Sequence, residues 1–163
     1  MSRLYKPNRK FMRITLLCIG KVKSSWIAEG CRDYSERLER GLDFKVMELP
    51  ASKEKDSDRQ RADESARLFA AAQKFDGDLW ILDERGKGMA SEAFAKELGK
   101  ARDDGRSLTF ILGGAYGLTD AVRSAGKLLR LSDMTLPHEL CRVLFLEQLY
   151  RANEIIRGSG YHH

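Results

Sequence analysis

No apolar run in this sequence approaches the roughly 20 residues that a membrane span requires, and no short apolar stretch ending in small residues marks a secretion signal. Neither membrane insertion nor export is expected, and a cytoplasmic location is. Cysteine is scarce. Cys18, Cys31 and Cys141 are odd in number, far apart and set inside apolar segments, a pattern that supports neither a disulfide framework nor a metal knuckle. Buried thiols are expected instead. Histidine is as rare, and no Ser/His/Asp triad, Cys/His couple or His-carboxylate pair at metal spacing is legible, so nucleophilic catalysis and a bound metal are not expected.

Charge of one sign is concentrated rather than spread. Residues 1 to 13 carry Arg3, Lys6, Arg9, Lys10 and Arg13 and no acid, which equals the whole net charge of +5 and leaves 24 bases against 24 acids in the remainder. A formally neutral body must use a local patch or the basic arm if it is to meet RNA. Residues 1 to 11 read as an extension, either a solvated tail or a binding arm, and residues 12 to 163 as a single domain with enough apolar content for a core.

From residue 13 the hydrophobic period switches repeatedly. Strands are predicted at 13–20, 43–50, 78–86, 107–114 and 133–137, and helices at 24–41, 58–75, 91–105 and 119–131, with a long final helix opened by a proline at 136–152. A polar loop fills 51–58. This alternation predicts an α/β fold with a mainly parallel sheet.

Ligands of such sheets sit beyond the carboxyl ends of the strands, and three of those exits are unusual. "GGAYGLT" after Leu112 lets backbone amides approach a ligand, though it is neither GxGxxG nor a phosphate loop. "DERGKG" after Leu82 offers carboxylates to ribose hydroxyls, or is a solvated charged turn. "DMTLPHE" puts Met134 and Leu136 beside an apolar slot, with His138 in a first helical turn, where it either caps amides or takes part in chemistry.

The final helix is apolar on two sides. At roughly 100° per residue, Val143, Leu146 and Tyr150 oppose Cys141, Leu144, Phe145 and Ala152, and a helix apolar all round needs cover on both sides. One side can face the sheet, so the other is expected to meet a second subunit in a symmetric dimer.

"FILGGAYGL", "LSDMTLPHELCRVLFLEQLYRA" and the ending "YHH" together resemble the ribosomal RNA large subunit methyltransferase H family of the SPOUT superfamily, with the likeness extending over residues 12 to 163. The resemblance implies an α/β sheet with helices on both faces and a C-terminal deep trefoil knot. It implies S-adenosylmethionine held by Leu82, Gly114, Asp133, Met134, Thr135, Leu136, Pro137 and His138, and a homodimer packed through the C-terminal knot helices. Its activity is methylation of N3 of a pseudouridine in large-subunit rRNA of the assembled ribosome. His138 and the tail residues Tyr161 and His162, the latter two from the partner chain, are the catalytic candidates. The family tail usually ends in Arg or Lys where His163 stands here, so Arg142 and Arg157 are candidates, with His163, for RNA contact. A SPOUT enzyme acting on tRNA and a non-catalytic RNA- or nucleotide-binding module are the alternatives.

Overall fold

The computed structural model describes residues 12–163; the basic extension expected at 1–11 lies outside the described residues. Ten elements follow in order: β1 (Arg13–Ile19), α1 (Ser25–Gly41), β2 (Asp43–Leu49), α2 (Ser57–Ala72), β3 (Asp78–Gly88), α3 (Ser91–Asp103), β4 (Leu108–Leu112), α4 (Asp120–Arg123), β5 (Lys127–Arg130) and α5 (His138–Arg157). The strands form one sheet in the order β2-β1-β4-β3-β5, and every pairing between them is parallel. Strands this apolar need cover on both faces. Alternate residues of β1 supply it, Ile14, Leu16 and Cys18 to one core and Leu17 and Ile19 to the other. The first core lies under α1, α3 and α5 and stacks Trp80, Phe94, Phe110 and Phe145 on one another. The second lies under α2 and α4, and its fully enclosed members are aliphatic.

Two expected elements change place. The helix expected over 119–131 is only α4, after which Gly126 brings the chain against β3: a Cβ there would stand 2.5 Å from the Leu79 carbonyl oxygen. Residues 127–130 then add to the free edge of β3. "KLLRL" satisfies both periods, and the ladder decides between them, since Leu128 and Leu129 face opposite cores. The strand expected at 133–137 is a loop, because β5 already holds that edge and Met134 is 78% exposed.

The final helix starts two residues later than expected and runs on to Arg157, where Gly158 turns left-handed (φ 67°) and gives its N–H to Ile155. It lies between α1 and α3. Gly30 of α1 lets Val143 approach, Gly99 of α3 admits Ile156, and Tyr34 meets Tyr150 at 6.0 Å while Phe94 meets Phe145 at 6.3 Å. Both apolar sides are therefore covered within the chain, and the reason given for a second subunit falls away; Leu144 alone of those residues stays exposed.

Candidate active site

The β4-paired part of β3 ends at Leu82, and this point, the exit of β4 and the exit of β5 meet to enclose a cleft of about 380 Å³. The wall from β3 is Leu82, Asp83 and Glu84. The wall from β4 is the glycine loop, residues 113–118, and the third wall is Arg130 to Ser132 with Met134, Thr135, Leu136, His138 and Cys141. The glycine loop is a tight turn in which the Gly117 N–H donates to the Gly114 carbonyl at 3.1 Å and Gly117 has φ 73°. Gly113 has no room for a side chain, since a Cβ would stand 2.9 Å from Leu118 Cγ. What faces the cleft there is backbone.

The two carboxylates of "DERG" differ: Asp83 is held in a network of charge, while Glu84 is exposed in the cleft wall. Asp83 accepts from Arg123 Nε at 2.8 Å and from the Arg85 N–H at 2.9 Å, while Arg123 Nη1 and Arg85 Nη1 both reach Asp120. Burial works against the charge on Arg123, but the hydrogen bonds and charges of Asp83 and Asp120 prevail and raise its pKa. The segment also bends sharply. Leu82 and Lys87 both pair with Leu129, and Gly86 presses on the Leu129–Arg130 backbone, where a Cβ would lie 2.8 Å away.

Of the residues expected around a cofactor, Leu82, Gly114, Met134, Thr135, Leu136 and His138 line the cleft. Asp133 and Pro137 stand off its wall, Asp133 paired with Arg130 at 2.7 Å and Pro137 at the N-cap of α5. His138 makes no cap: α5 has no side-chain cap, whereas the next residue, Glu139, accepts from the N–H groups of Lys23 and Ser24 at the start of α1. Cys141 is the one thiol in the wall, and burial raises its pKa, so at neutral pH it stays protonated and a poor nucleophile.

The tail lies elsewhere. Tyr161 packs edge-on to Tyr150 and donates to Glu147 Oε1 at 3.2 Å, and Arg151 covers its ring. Burial, then Tyr34 and Glu147, push its hydroxyl pKa up. Arg151 donates to His162 Nδ1 at 3.2 Å, which leaves His162 Nε2 to donate to Glu92 at 2.8 Å. Neither residue lines the cleft of its own chain.

One RNA-contact candidate is corrected. Arg142 is 3% exposed, and its guanidinium donates to Glu48 at 2.7 Å and to the Ile19 and Gly20 carbonyls at 3.0 and 2.9 Å. The turn of α5 that carries it faces the sheet edge, so it braces strand ends and cannot reach a phosphate. Arg157 and His163 are exposed. Sequence reasoning missed Arg123 and Arg130 in the cleft wall, because both fell inside a segment taken for one helix.

The family model described as "Predicted SPOUT methyltransferase" matches residues 12–162. That gives the class, a methyltransferase of the SPOUT type. The "Ribosomal RNA large subunit methyltransferase H" of Geobacter sp. (strain M21) is 44% identical over 154 residues, 93% of this chain and 99% of its own, and that of Citrifermentans bemidjiense is 43% identical with the same coverage. The chain belongs to the ribosomal RNA large subunit methyltransferase H family. A solved structure, TrmJ from Z. mobilis ZM4, aligns over 86% of this chain and 69% of its own at 13% identity with a TM-score of 0.49, too remote to bear on function.

Proposed function

We propose that residues 12–163 act as one SPOUT unit in the cytoplasm, transferring a methyl group from S-adenosylmethionine to N3 of a pseudouridine in the large-subunit rRNA of the assembled ribosome. The observation that carries this is the convergence of three strand exits on one cleft walled by glycine backbone. The residues suit the cofactor. About 380 Å³ falls within the range of small-molecule sites, roughly 300–1,000 Å³. Leu82, Leu112, Leu131 and Leu136 offer apolar walls and the glycine loop offers backbone groups, while Arg123 and Arg130 in the wall are already paired with Asp83, Asp120 and Asp133. Leu82, Gly114 and the 133–138 segment hold the cofactor in this reading, with Asp133 and Pro137 shaping the third wall from behind. The reading carries with it a C-terminal chain threaded as a deep trefoil knot, which the family resemblance implies.

S-adenosylmethionine brings a methyl group already activated by its sulfonium. The protein's own work is then alignment and removal of one proton, and alignment is the larger part. His138 stands in the cleft wall, where its imidazole in the neutral form accepts the N3 proton. Tyr161 and His162 lie on the outer side of α5 in their own chain, so they border the target base only from a second copy, in a homodimer packed through α5, with Leu144 of α5 and Trp26 of α1 left exposed in the single chain. Arg157 and His163 supply phosphate contacts.

The test uses labelled S-adenosylmethionine, ribosomes lacking this methylation, free large subunits and tRNA. Label in large-subunit rRNA of assembled ribosomes alone is the expected result. Label in tRNA, or cofactor binding without transfer to any of the three, overturns the assignment of the substrate.

A further inference from the structure

α2 turns two consecutive polar side chains inward, Glu64 and Ser65, each 1% exposed. Ser65 Oγ accepts the Thr119 N–H at 3.0 Å, at the far end of the glycine loop. Glu64 Oε1 accepts from the Ser52 N–H at 2.9 Å, in the loop after β2, and from Gln60 Nε2 at 3.4 Å. Its other oxygen, Oε2, has no hydrogen-bond partner among the described residues. A buried carboxylate oxygen without a donor costs stability, and a native protein keeps one only for a reason.

That oxygen lies against Gly114. A Cβ at residue 114 would stand 2.4 Å from Oε2, so the carboxylate fills the space a side chain would take, while Gly114 also contributes to the cleft wall. The loop is thus backed at Gly114 by Glu64 and tied at Thr119 by Ser65, both from one turn of a helix outside the cleft. Mere filling of space would be served as well, and with less desolvation, by an apolar side chain of similar shape.

We infer that Glu64 is a positioning residue that sets the glycine loop for cofactor from behind, linking it to the loop after β2. The inference rests on the reading of the cleft as the S-adenosylmethionine site. Held in place before the ligand arrives, backbone groups need no reorganisation on binding. Loss of the brace therefore weakens cofactor binding more than it slows the bound enzyme.

The experiment measures S-adenosylmethionine binding by calorimetry and steady-state methylation of ribosomes, on the full chain. Glu64→Ala is expected to raise the cofactor KM and Kd about tenfold, the scale of one buried hydrogen bond, with kcat at saturation within about twofold. Glu64→Gln, which keeps the acceptor for Ser52 and the shape, returns both constants to near wild type. Gly114→Ala weakens binding severely when Glu64 is present and less when it is combined with Glu64→Ala, because the clash is then relieved. If Glu64→Ala does not fold, Glu64→Met fills the cavity without the acceptor and carries the same KM expectation. An unchanged KM in folded Glu64→Ala or Glu64→Met, or Gly114→Ala equally harmful in both backgrounds, overturns the inference while leaving the cofactor site standing. Failure of the wild-type chain to bind S-adenosylmethionine overturns both.

Discussion

The two halves of one sheet edge solve the same problem in opposite ways. Where parallel strands end, their last carbonyls and amides lose ladder partners and need others. Over β1 and β2 the partner is Arg142, whose guanidinium satisfies the Ile19 and Gly20 carbonyls and pairs with Glu48. Over β3, β4 and β5 the chain leaves a cleft walled by glycine backbone and the loop before α5. The same helix serves both halves, with His138 and Cys141 toward the cleft and Arg142 toward the closed side. A ligand site in such a sheet is thus a stretch of strand ends that the protein has declined to cap with its own side chains.

The comparison breaks first at Arg142. Arg142→Ala leaves the two carbonyls and Glu48 without their donor and is expected to cost about 3 kcal/mol, the upper range for hydrogen bonds to a charged group. Urea unfolding measures the loss. Cofactor affinity of the folded fraction should stay within about twofold, since the closed half does not touch the cleft, and 1.36 kcal/mol would already be tenfold. A large fall in affinity with little loss of stability would show that the halves are not separate. The opposite balance is expected at Gly113. Gly113→Ala forces a Cβ to 2.9 Å from Leu118 and 3.1 Å from Gly117, an overpacking of about 1–3 kcal/mol, and the loop that yields is the cleft wall. Calorimetry should therefore show a loss of cofactor affinity greater than tenfold, in excess of what the Tm shift accounts for. Equal affinity in this variant would mean that the loop backbone does not hold the ligand.

The open half was more legible in the sequence than the closed half. Apolar runs ending in Gly113 or in "DERG" announce strand exits, and the rule that ligands sit beyond strand ends brings those exits together without coordinates. Arg142 was misread because a lone cation on a helix looks like a surface charge until the turn carrying it is placed over the sheet. Glu64 was hidden for the same reason: 58–75 reads as an amphipathic helix, and only the packing of α2 on β1 and β4 shows which carboxylate turns inward. The two apolar sides of α5 were visible, but periodicity gives the width of an apolar surface and not what covers it. Here α1 and α3 do. The short β5 escaped because four residues with two adjacent leucines suit either period, and the vacant edge of β3 made the choice.

The smallest expected effect sits where the halves join. Glu139 follows His138 and accepts from the Lys23 N–H at 2.8 Å and the Ser24 N–H at 3.3 Å, tying the first turn of α5 to the start of α1. The Lys23 bond, against the opposing effect of burial and with help from Ser24, holds the Glu139 carboxyl below its ordinary value of 4.5. A carboxyl lowered in the folded state contributes stability that is complete above the unfolded value and is lost as pH falls through the lower folded value. Glu139→Gln keeps an acceptor but no charge, so its Tm should lie slightly below wild type at neutral pH, and the gap should close as pH falls below about 4.5. Melting curves at a series of pH values on both proteins measure it. A gap that stays constant down to acid pH would mean that the charge on Glu139 contributes nothing, and that backbone and packing alone hold the first turn of α5, and with it His138, against the cleft.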